Sequence, residues 1–546
     1  MRGSIFPPMR RLYRLGLAIL CAVLLHPVAV AQSTRLAPAP LGKAASTLSR
    51  GVFGEPDTLA PRESGVTSAQ TMVRDLFEGL TTFDAAGATI PGAALSWSVS
   101  PDGLVYTFRL RPDLRWSDGA PLRAGDFVWG WQHSLDTARP AARATRLYAL
   151  RNASRIHRGE LPAAALGARA LDAHTVQLTL EHPVPWLPTL LAGEEGFPLP
   201  RHVIERTGRD WAKPGTHVGN GAYRLLSRRA RGSVLLERNP YHHDAARIAI
   251  NRIEYVPSSD TPSLVMRVRA GELAINGWPG FPGSQAKSLT QELGTTIVRS
   301  VPLHSVRYLR LNVSRGALRD PRLRRALALA VDRDLLVRRV LGSGERPSTR
   351  VLPASLPFDL PPADDALRRG TQTARNAEAR ALLAAAGYPR AGSEPLVFRV
   401  PSGNGEQMCV AVAAMWTALG IPVRIERSEI SAMISDLRQG NFDIALTGAQ
   451  EPPAVEPFLE RFRAASTYNS GRYSSREFEM ALDRALQQAD PQQRARGLQQ
   501  AEALLNRDQP VVPLIEEVAR NLVRPNVAGW QDNPLDVHLS RWLRLE

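Results

Sequence analysis

Long apolar runs are scarce in this sequence of 546 residues, and the one near its start, residues 15–25, is too short to cross a bilayer. Four arginines between positions 2 and 14 precede this run, and the small-residue sequence Ala29-Val30-Ala31 follows it. A basic segment, a short apolar segment and an A-x-A site are typical of a secretory signal peptide. We therefore predict cleavage near Ala31 and a mature protein located in the periplasm, with a retained membrane anchor as the alternative.

Cysteine is almost absent as well, since the sequence holds only Cys21 and Cys409. A lipoprotein signal needs a small residue before its cysteine, and Leu20 before Cys21 is not small. Removal of the signal peptide leaves Cys409 as the only thiol, which excludes an internal disulfide. The stability of the mature chain must then come from hydrophobic cores, and its length suits two or three domains.

Acidic residues are outnumbered: 52 aspartates and glutamates face 68 lysines and arginines, which gives a formal net charge of +16. The signal peptide contributes four arginines and no acid, so the mature chain keeps about +12. The arginines are scattered, without interleaved aromatic residues or a nucleic-acid-binding motif, and export also argues against such a partner. We interpret the charge as a solvated basic surface and expect no nucleic acid partner.

The sequence also lacks the common motifs of enzymes. It contains no G-x-S-x-G, H-E-x-x-H or P-loop, and Gly342-Ser343-Gly344 lacks the strand and helix that flank a phosphate-binding loop. We expect no enzymatic activity and no cofactor, so ATP hydrolysis would belong to another subunit. Tyr241-His242-His243-Asp244 offers two imidazoles and a carboxylate, but adjacent side chains rarely face one metal ion, so we predict no metal site.

The periodicity of apolar residues divides the sequence into two kinds of structure. The first half is richer in strands and turns and reads as α+β, whereas strands and helices alternate over about 305–519, which predicts an α/β lobe with a largely parallel sheet. Asp320 before Pro321 predicts the start of one helix, and Gly387 predicts the end of another. The predicted strands are 105–110, 175–180, 233–237, 252–256, 396–400, 423–426 and 443–446, and the predicted helices are 321–341, 376–386, 406–419, 478–488 and 492–505.

Ten short motifs run in order through nearly five hundred residues. They are Arg74-Asp-Leu-Phe-Glu-Gly-Leu80, the block 93–131, Glu181-His-Pro-Val-Pro185, Val218-Gly-Asn-Gly-Ala-Tyr223, Leu236-Glu-Arg-Asn-Pro-Tyr241, Ala270-Gly-Glu-Leu273, Asp320-Pro-Arg-Leu-Arg-Arg-Ala-Leu327 with Asp332-Arg333, Ala384-Ala-Ala-Gly-Tyr388, Gln439-Gly-Asn-Phe-Asp443 and Pro534-Leu-Asp536. Through them the chain resembles the family 5 extracytoplasmic solute-binding proteins of ABC importers, most of all the oligopeptide-binding members. We expect many of these motifs to set turns rather than to bind ligand.

The resemblance implies an α/β fold of the two-lobed flytrap type, a class C periplasmic binding protein of type II with an extra α+β domain. It divides the chain into a signal peptide, 1–31, then lobe I in three parts, 32–77, 201–304 and 520–546, domain II, 78–200, and lobe III, 305–519. Ligand would lie between the lobes and stabilise their closed arrangement.

An extended peptide in such a cleft needs main-chain pairing along its length, an acid for its amine and cations for its carboxylate. The resemblance assigns main-chain pairing to the segment Gly65, Val66 and Thr67 and to the strand end Thr447, Gly448, Ala449, Gln450 and Glu451. The family's amine-binding aspartate falls at Pro452 in a loop that is one residue short, so Glu451 is the nearest acid. Asn276 and Trp278 are expected in the wall of the cleft.

The family's anchors for the carboxylate of the ligand are replaced in this sequence. An arginine, a lysine and a histidine of the family correspond to Leu446, Leu341 and a position near Gly405. Arg346 and Arg350 are candidate substitutes. The sequence therefore predicts that the scaffold is retained and that the pocket has diverged.

Four further charged residues differ from, or substitute for, those of the family. Arg438 aligns with a cleft histidine and keeps positive charge, whereas Arg310 stands where the family has a glutamate. Glu516 and Glu517 replace aromatic residues, and together they are candidates for binding a cationic ligand. The alternative is that both are surface or core-edge carboxylates paired with arginines.

The resemblance implies the periplasmic substrate-binding component of an ABC importer. Such a protein captures peptides between its lobes and delivers them to a membrane permease, which works with an ATPase subunit. We expect a monomer. The alternatives are a divergent binder of another solute and a ligand-responsive partner of a membrane sensor without a transport role.

Overall fold

The computed structural model describes residues 46–546 except 65, 137–143, 231, 357–366, 391 and 402–404. Its strands are β1 (Thr47–Phe53), β2 (Thr81–Phe83), β3 (Thr89–Pro91), β4 (Ala94–Val99), β5 (Val105–Leu110), β6 (Ala168–Asp172), β7 (Thr175–Thr179), β8 (Tyr223–Arg228), β9 (Val234–Arg238), β10 (Arg252–Ser258), β11 (Val298–Leu311), β12 (Arg346–Pro347), β13 (Leu396–Pro401), β14 (Val423–Ser428), β15 (Ile444–Gln450), β16 (Val511–Leu522), β17 (Val527–Ala528) and β18 (Arg544–Leu545).

The helices connect these strands and cover their faces. They are α1 (Thr67–Leu76), α2 (Ala124–Ser134), α3 (Ala153–His157), α4 (Leu187–Leu191), α5 (Arg201–Thr207), α6 (Thr261–Arg269), α7 (Ala286–Leu293), α8 (Pro321–Leu329), α9 (Arg333–Leu335), α10 (Gln372–Ala386), α11 (Glu406–Thr417), α12 (Ile430–Gln439), α13 (Glu456–Glu460), α14 (Arg476–Leu486) and α15 (Pro491–Asp508). In the part of the chain that is described, none of them has the length and apolar character needed to cross a membrane.

Three larger sheets organise the strands. One has the order β1-β10-β9-β8, a second has the order β4-β5-β7-β6, and a six-stranded sheet has the order β12-β16-β11-β15-β13-β14. The pairs β2-β3 and β17-β18 are separate two-stranded sheets. The six-stranded sheet is mixed, because β13 runs parallel to β14 and β15 while β11 pairs antiparallel with β15 and β16.

The prediction of a largely parallel sheet over 305–519 is wrong for half of this sheet. All seven predicted strands are present, and β5 has the predicted bounds, but the sequence analysis missed β11 and β16. Both long strands are buried over most of their length, and each contains a proline, so neither shows the alternation of a half-exposed strand. These two strands supply the antiparallel half of the sheet.

The helix predicted over 321–341 is divided into α8, α9 and a π-type turn at Leu336–Leu341. Asp320 caps α8 through Arg322 N at 2.8 Å, as predicted, and Pro321 is its first residue. Asp332 starts a second helix by accepting a hydrogen bond from Leu335 N at 2.9 Å. A side-chain cap inside the apolar pattern therefore interrupts the helix. The end of α10 at Gly387, with φ +60°, is confirmed.

The buried apolar residues form several clusters. One cluster runs from β1, β9 and β10 into the sheet of β4 to β7, with Trp116, Phe127 and Trp131 completely buried in it. Two others cover opposite faces of the six-stranded sheet, one built around α8, α10 and α11 and the other around α13, α14 and α15. The part of β11 from Val306 to Leu311 is thus packed on both faces, beneath the site described next.

Candidate functional site: a cleft beside strand β15

A large cleft of about 1440 Å³ lies between two walls. One wall is formed by the end of β1 and residues 278–284, and the other by β11, β15, α11 and α12. A small chamber of about 280 Å³ lies between α1, residues 189–195, residues 534–537 and the chain after β15. Trp278 and Gln450 line both spaces, so the cleft and the chamber form one continuous site.

Strand β15 has a free edge where it enters the large cleft. On one side it pairs with β11 from Ile444 to Gln450. On the other side it pairs with β13 only at Ile444 and Ala445, so no strand among the described residues pairs with 446–450 there. Residues 446–450 line the cleft. Their backbone groups on this edge are positioned to hydrogen-bond an extended ligand.

The structure brings most of the predicted site residues to these two spaces. Thr67 and Glu451 line the small chamber. Trp278 and Gln450 line both spaces, and the large cleft is lined in addition by Thr447, Gly448, Ala449 and Glu517. Val66 precedes α1 and is not among the lining residues. Gly65 lies outside the described residues.

Arg310 and Glu516 do not reach the cleft, because neighbouring side chains of a strand point to opposite faces. On β11, Arg307 lines the cleft, whereas Arg310 is 3% exposed and donates to Tyr308 Oη at 3.0 Å inside the core. On β16, Glu517 lines the cleft, whereas Glu516 is buried and accepts a hydrogen bond from Ala354 N at 2.8 Å. The interpretation of Glu516 and Glu517 as one cation-binding pair is therefore wrong.

Asn276 and Arg438 also lie away from the lining. Asn276 is completely buried, and its Oδ1 accepts a hydrogen bond from Leu522 N at 2.7 Å, which ties the end of β16 to the turn before Trp278. Arg438 is exposed in the last turn of α12 and is absent from both linings. Asn276 therefore supports the wall from behind, and Arg438 faces solvent.

Carboxylates outnumber arginines around the small chamber. Glu451 Oε1 lies 2.5 Å from Arg461 Nη1, and Glu451 Oε2 lies 3.9 Å from Arg146 Nη2. Burial opposes the charge of Arg146, but Glu195 and Glu451 outweigh it and raise the pKa of Arg146 above its ordinary value. The ionisable residues of the lining are Glu194, Glu195, Glu451 and Asp536 against Arg74 and Arg146. Arg461, which pairs with Glu451, and Arg62, which lies beside Glu194, stand outside this lining and offset part of the negative charge, so it is the lining itself that suits a cationic group of a ligand.

The large cleft has an apolar surface and few cations. Phe53, Trp278, Val410 and Ile434 line it and stay 38%, 43%, 42% and 41% exposed. The arginines of its described lining are Arg307 and Arg520, and both are paired with acids. Arg307 Nε lies 2.7 Å from Glu517 Oε1, and Arg520 Nη2 contacts Glu345 Oε1.

Comparison with known proteins identifies the scaffold. The family model for the bacterial extracellular solute-binding proteins, family 5, middle part, matches residues 88–470. The chain belongs to this family. It is 33% identical over 540 residues to the periplasmic oligopeptide-binding protein OppA of Salmonella typhimurium, covering 95% of this chain and 96% of that protein. It is 29% identical over 529 residues to the periplasmic murein peptide-binding protein MppA of Escherichia coli, covering 95% of this chain and 97% of that protein.

A solved structure of the same family shows the fold. The crystal structure of Haemophilus influenzae OppA in complex with the peptide RPPGFSPFR superposes with a TM-score of 0.80 at 30% identity, over 92% of this chain and 99% of that one. The predicted fold class, an α/β two-lobed flytrap with an additional domain, is thereby confirmed. The family resemblance inferred from the ten motifs is confirmed as well.

The first family motif, residues 74–80, is mainly structural. Asp75 is buried and accepts hydrogen bonds from Tyr255 Oη at 2.7 Å, Ser540 N at 3.0 Å and Ser540 Oγ at 2.6 Å. Asn220 of a later family motif binds both backbone groups of Glu78. A Cβ atom on Gly219 would lie 2.2 Å from Leu76 O, so only glycine permits this approach. These motifs join the end of α1 to the C-terminal segment.

We predict that Asp75→Ala lowers the free energy of unfolding by about 3 kcal/mol, because it leaves three buried donors without an acceptor. Chemical unfolding in urea measures this change. Asp113→Ala is the matched control, since Asp113 is exposed, and we expect it to change stability by less than about 0.5 kcal/mol. Equal stabilities of the two variants would contradict a structural role for Asp75.

The two histidines after β9 lie beside Glu78, and ligand atoms of the three residues come within 4.8 Å of one another. His242 Nδ1 accepts a hydrogen bond from Asp244 N at 3.1 Å, so a neutral His242 carries its proton on Nε2 and has no lone pair for a metal there. Arg541 binds both Glu78 and Asp244. The cluster is an ion-pair network that fastens the C-terminal segment, and it does not present a suitable set of metal ligands.

Several residues that line the two spaces were not predicted from the sequence. Arg146, Glu194 and Glu195 lie in the small chamber, and Arg307 and Glu345 in the large cleft. The adjacent acids Glu194 and Glu195, placed directly after an apolar stretch, were a usable signal, because acidic side chains are rarely buried unless they are paired. The other three residues carry no sequence signal that distinguishes them from the many exposed charges of the chain.

Glu460, at the end of α13, makes stability depend on pH. Burial raises its pKa to about 7, with repulsion from Glu456 and Glu451, while Arg463 and Arg494 favour the charged form. His182 Nε2 lies 4.0 Å from Glu460 Oε1. The raised pKa means that the folded state favours the protonated Glu460 carboxyl. The stabilisation that this carboxyl gives the folded protein is therefore complete below the ordinary pKa of a glutamate and is lost as pH rises through about 7.

We therefore expect the melting temperature of the wild type to fall on the order of 1–3 °C, relative to Glu460→Gln, between about pH 4.5 and about pH 7. Thermal unfolding of both proteins across this interval measures the difference. Parallel pH profiles would show that Glu460 titrates normally.

Proposed function

We propose that this chain is the periplasmic substrate-binding component of an ABC importer and that it captures peptides in the cleft beside β15. The free edge of β15 along the cleft carries this proposal. A peptide lying there in extended form adds a strand to the six-stranded sheet, and its main chain is held whatever its sequence. The peptide-binding names of the relatives and the peptide complex of a related structure support the same function.

The amine of the peptide lies in the small chamber. Glu451 is nine-tenths buried, and Arg461 and Arg146 hold its two oxygens. Glu194 and Glu195 add two further carboxylates, and the resulting excess of negative charge favours an ammonium group entering beside them. From this chamber the peptide passes Gln450 and Trp278 into the large cleft.

Closure around the peptide takes place about β11 and β16. Their ladder shifts register between Pro302 and Val306, which supports a flexible point near residue 304. We retain lobe I as 32–77, 201–304 and 520–546, domain II as 78–200 and lobe III as 305–519. Peptide contacts with both walls stabilise the closed arrangement of a monomeric protein, which the membrane permease then recognises, while a separate ATPase subunit drives transport.

Removal of the signal peptide near Ala31 would release the protein into the periplasm. Edman sequencing of protein exported from a bacterial host tests this assignment. An N-terminus at Gln32 is expected, and a mature chain that keeps residues 1–31 would contradict it.

The test of main-chain recognition uses backbone-methylated peptides. Protein freed of ligand by unfolding and refolding is titrated calorimetrically with a peptide that binds and with analogues N-methylated at single internal positions. Loss of a main-chain donor at a position paired with β15 should weaken binding by about tenfold, whereas methylation at alternate positions should have little effect. Equal affinity of all analogues would contradict pairing along β15.

A further inference from the structure

We infer that the large cleft holds the C-terminal part of the peptide through apolar side chains and leaves its terminal carboxylate unbound. This inference rests on the proposed function and specifies which peptides the site selects. It follows from the apolar wall, from the paired arginines and from the neutral residues between them.

The apolar part of the cleft wall is exposed on both sides. Val410 on α11 and Ile434 on α12 face the space from one wall, and Phe53 and Trp278 face it from the other. Few large apolar side chains among the described residues keep more than a third of their surface exposed, and these four are among them. An apolar group between these walls removes water from four surfaces at once, so the site favours a ligand with bulky apolar side chains.

The arginines of the large cleft are each already paired with an acid. Arg307 is bound to Glu517, which also accepts a hydrogen bond from Ser305 Oγ at 2.5 Å. Arg520 is bound to Glu345 and donates to Ser343 Oγ at 3.0 Å. A ligand carboxylate entering here would have to share an arginine with one of these acids and would meet the repulsion of both acids.

The remaining described wall carries one acid, Glu406, which contacts Arg427, and offers no cation of its own. Leu341 and Leu446 line it, and a Cβ atom on Gly405 would lie 2.7 Å from Leu446 Cδ2, so the missing side chain makes room for the leucine. Among the residues described here, the cleft thus offers apolar surface and paired charges where a carboxylate would need an available arginine or lysine.

The resulting ligand has an amine at one end and an apolar, uncharged segment at the other. C-terminal amides of such peptides, or longer peptides that continue out of the cleft, satisfy the site as well as free acids do. A terminal carboxylate contributes little or weakens binding.

The experiment compares one apolar peptide as free acid and as C-terminal amide, by calorimetry on ligand-free mature protein. We expect the amide to bind as tightly as the acid or up to about threefold more tightly, and an aspartate in place of the last apolar residue to weaken binding by about tenfold. An amide that binds about tenfold more weakly than the acid would overturn the inference while leaving peptide capture intact. If neither form of any peptide binds, the proposed function fails, and the inference fails with it.

A variant checks that the apolar wall is responsible. Ile434→Ser should weaken binding of a peptide with a bulky apolar C-terminal residue by about threefold to tenfold and leave an otherwise identical peptide ending in glycine unchanged. Ile434 is 41% exposed, so the variant is expected to fold normally, which its melting temperature verifies. The same loss for both peptides, or no loss for either, would contradict contact between the peptide and this wall.

Discussion

Replacing Trp278 by alanine is expected to weaken peptide binding by about tenfold or more without lowering the stability of the protein. The indole lines both the small chamber and the large cleft, so it contacts the ligand where the ligand passes between them. Removal of a central aromatic contact typically costs about 1.5–2 kcal/mol of binding free energy. Because the side chain is 43% exposed without ligand, little core packing is lost. Calorimetric titration and thermal unfolding measure the two effects.

Tyr241→Ala is the matched control for this prediction. Tyr241 is also an aromatic residue that is 43% exposed, but it packs against Gly119 and lines neither space. We expect its loss to leave peptide affinity unchanged. Equal affinities of the Trp278 and Tyr241 variants would remove Trp278 from the binding site.

The second large effect is expected for Arg461→Met, which should lower the free energy of unfolding by about 3–5 kcal/mol and also weaken peptide binding. Arg461 binds Glu451 Oε1, donates to Gly448 O at 3.2 Å and lies 4.2 Å over the ring of Tyr468. Without it, the buried Glu451 keeps, among the residues that the structure describes, only Arg146, at 3.9 Å, as a cationic partner within salt-bridge distance. Urea unfolding measures the stability, and calorimetry measures the affinity.

Two further variants separate charge from packing at Arg461. Adding Glu451→Gln to Arg461→Met removes the uncompensated charge, so the double variant should regain more than half of the lost stability. Arg438→Met changes an exposed arginine and should alter stability by less than about 0.5 kcal/mol. A single variant as stable as the wild type would contradict the view that Arg461 supports the wall of the site.

The sequence predicted several half-exposed strands and well-capped helices accurately, because their signals are local, but the predicted strands did not include β1, β4, β6 and β8. The bounds of β5 follow from strict alternation, and α10 ends at Gly387, where glycine adopts the left-handed conformation. Strands β11 and β16 could not be recognised, because both of their faces are covered and their pattern is continuous rather than alternating. Yet β11 pairs with β15 along the cleft, and β16 pairs with β11 on its other side.

The candidate site was predictable where the backbone alone defines it. The segment 447–451 lines the cleft as the family resemblance implied, since any side chain can occupy a free strand edge. The prediction of which side chains line the cleft was wrong where it depends on the face of the strand to which a side chain points. Arg310 and Glu516 point into the core, and a shift by one position separates Glu516 from the lining residue Glu517.

The charge of the cleft is opposite to that of the chain. The chain carries a formal charge of +16, but seven carboxylates and four arginines line the two spaces. Net charge therefore describes the outer surface and not the site. Under the proposed function, the local excess of acids in the lining favours an amine at one end of the ligand and disfavours a carboxylate at the other.

The most direct test of the central claim is native mass spectrometry of the protein purified from the periplasm, followed by denaturation and fragmentation of whatever is released. We predict co-purifying peptides with a free amine, bulky apolar residues towards their C-termini and a variable length. A protein that carries no peptide and shows no thermal shift with a peptide pool would contradict peptide capture in the cleft beside β15.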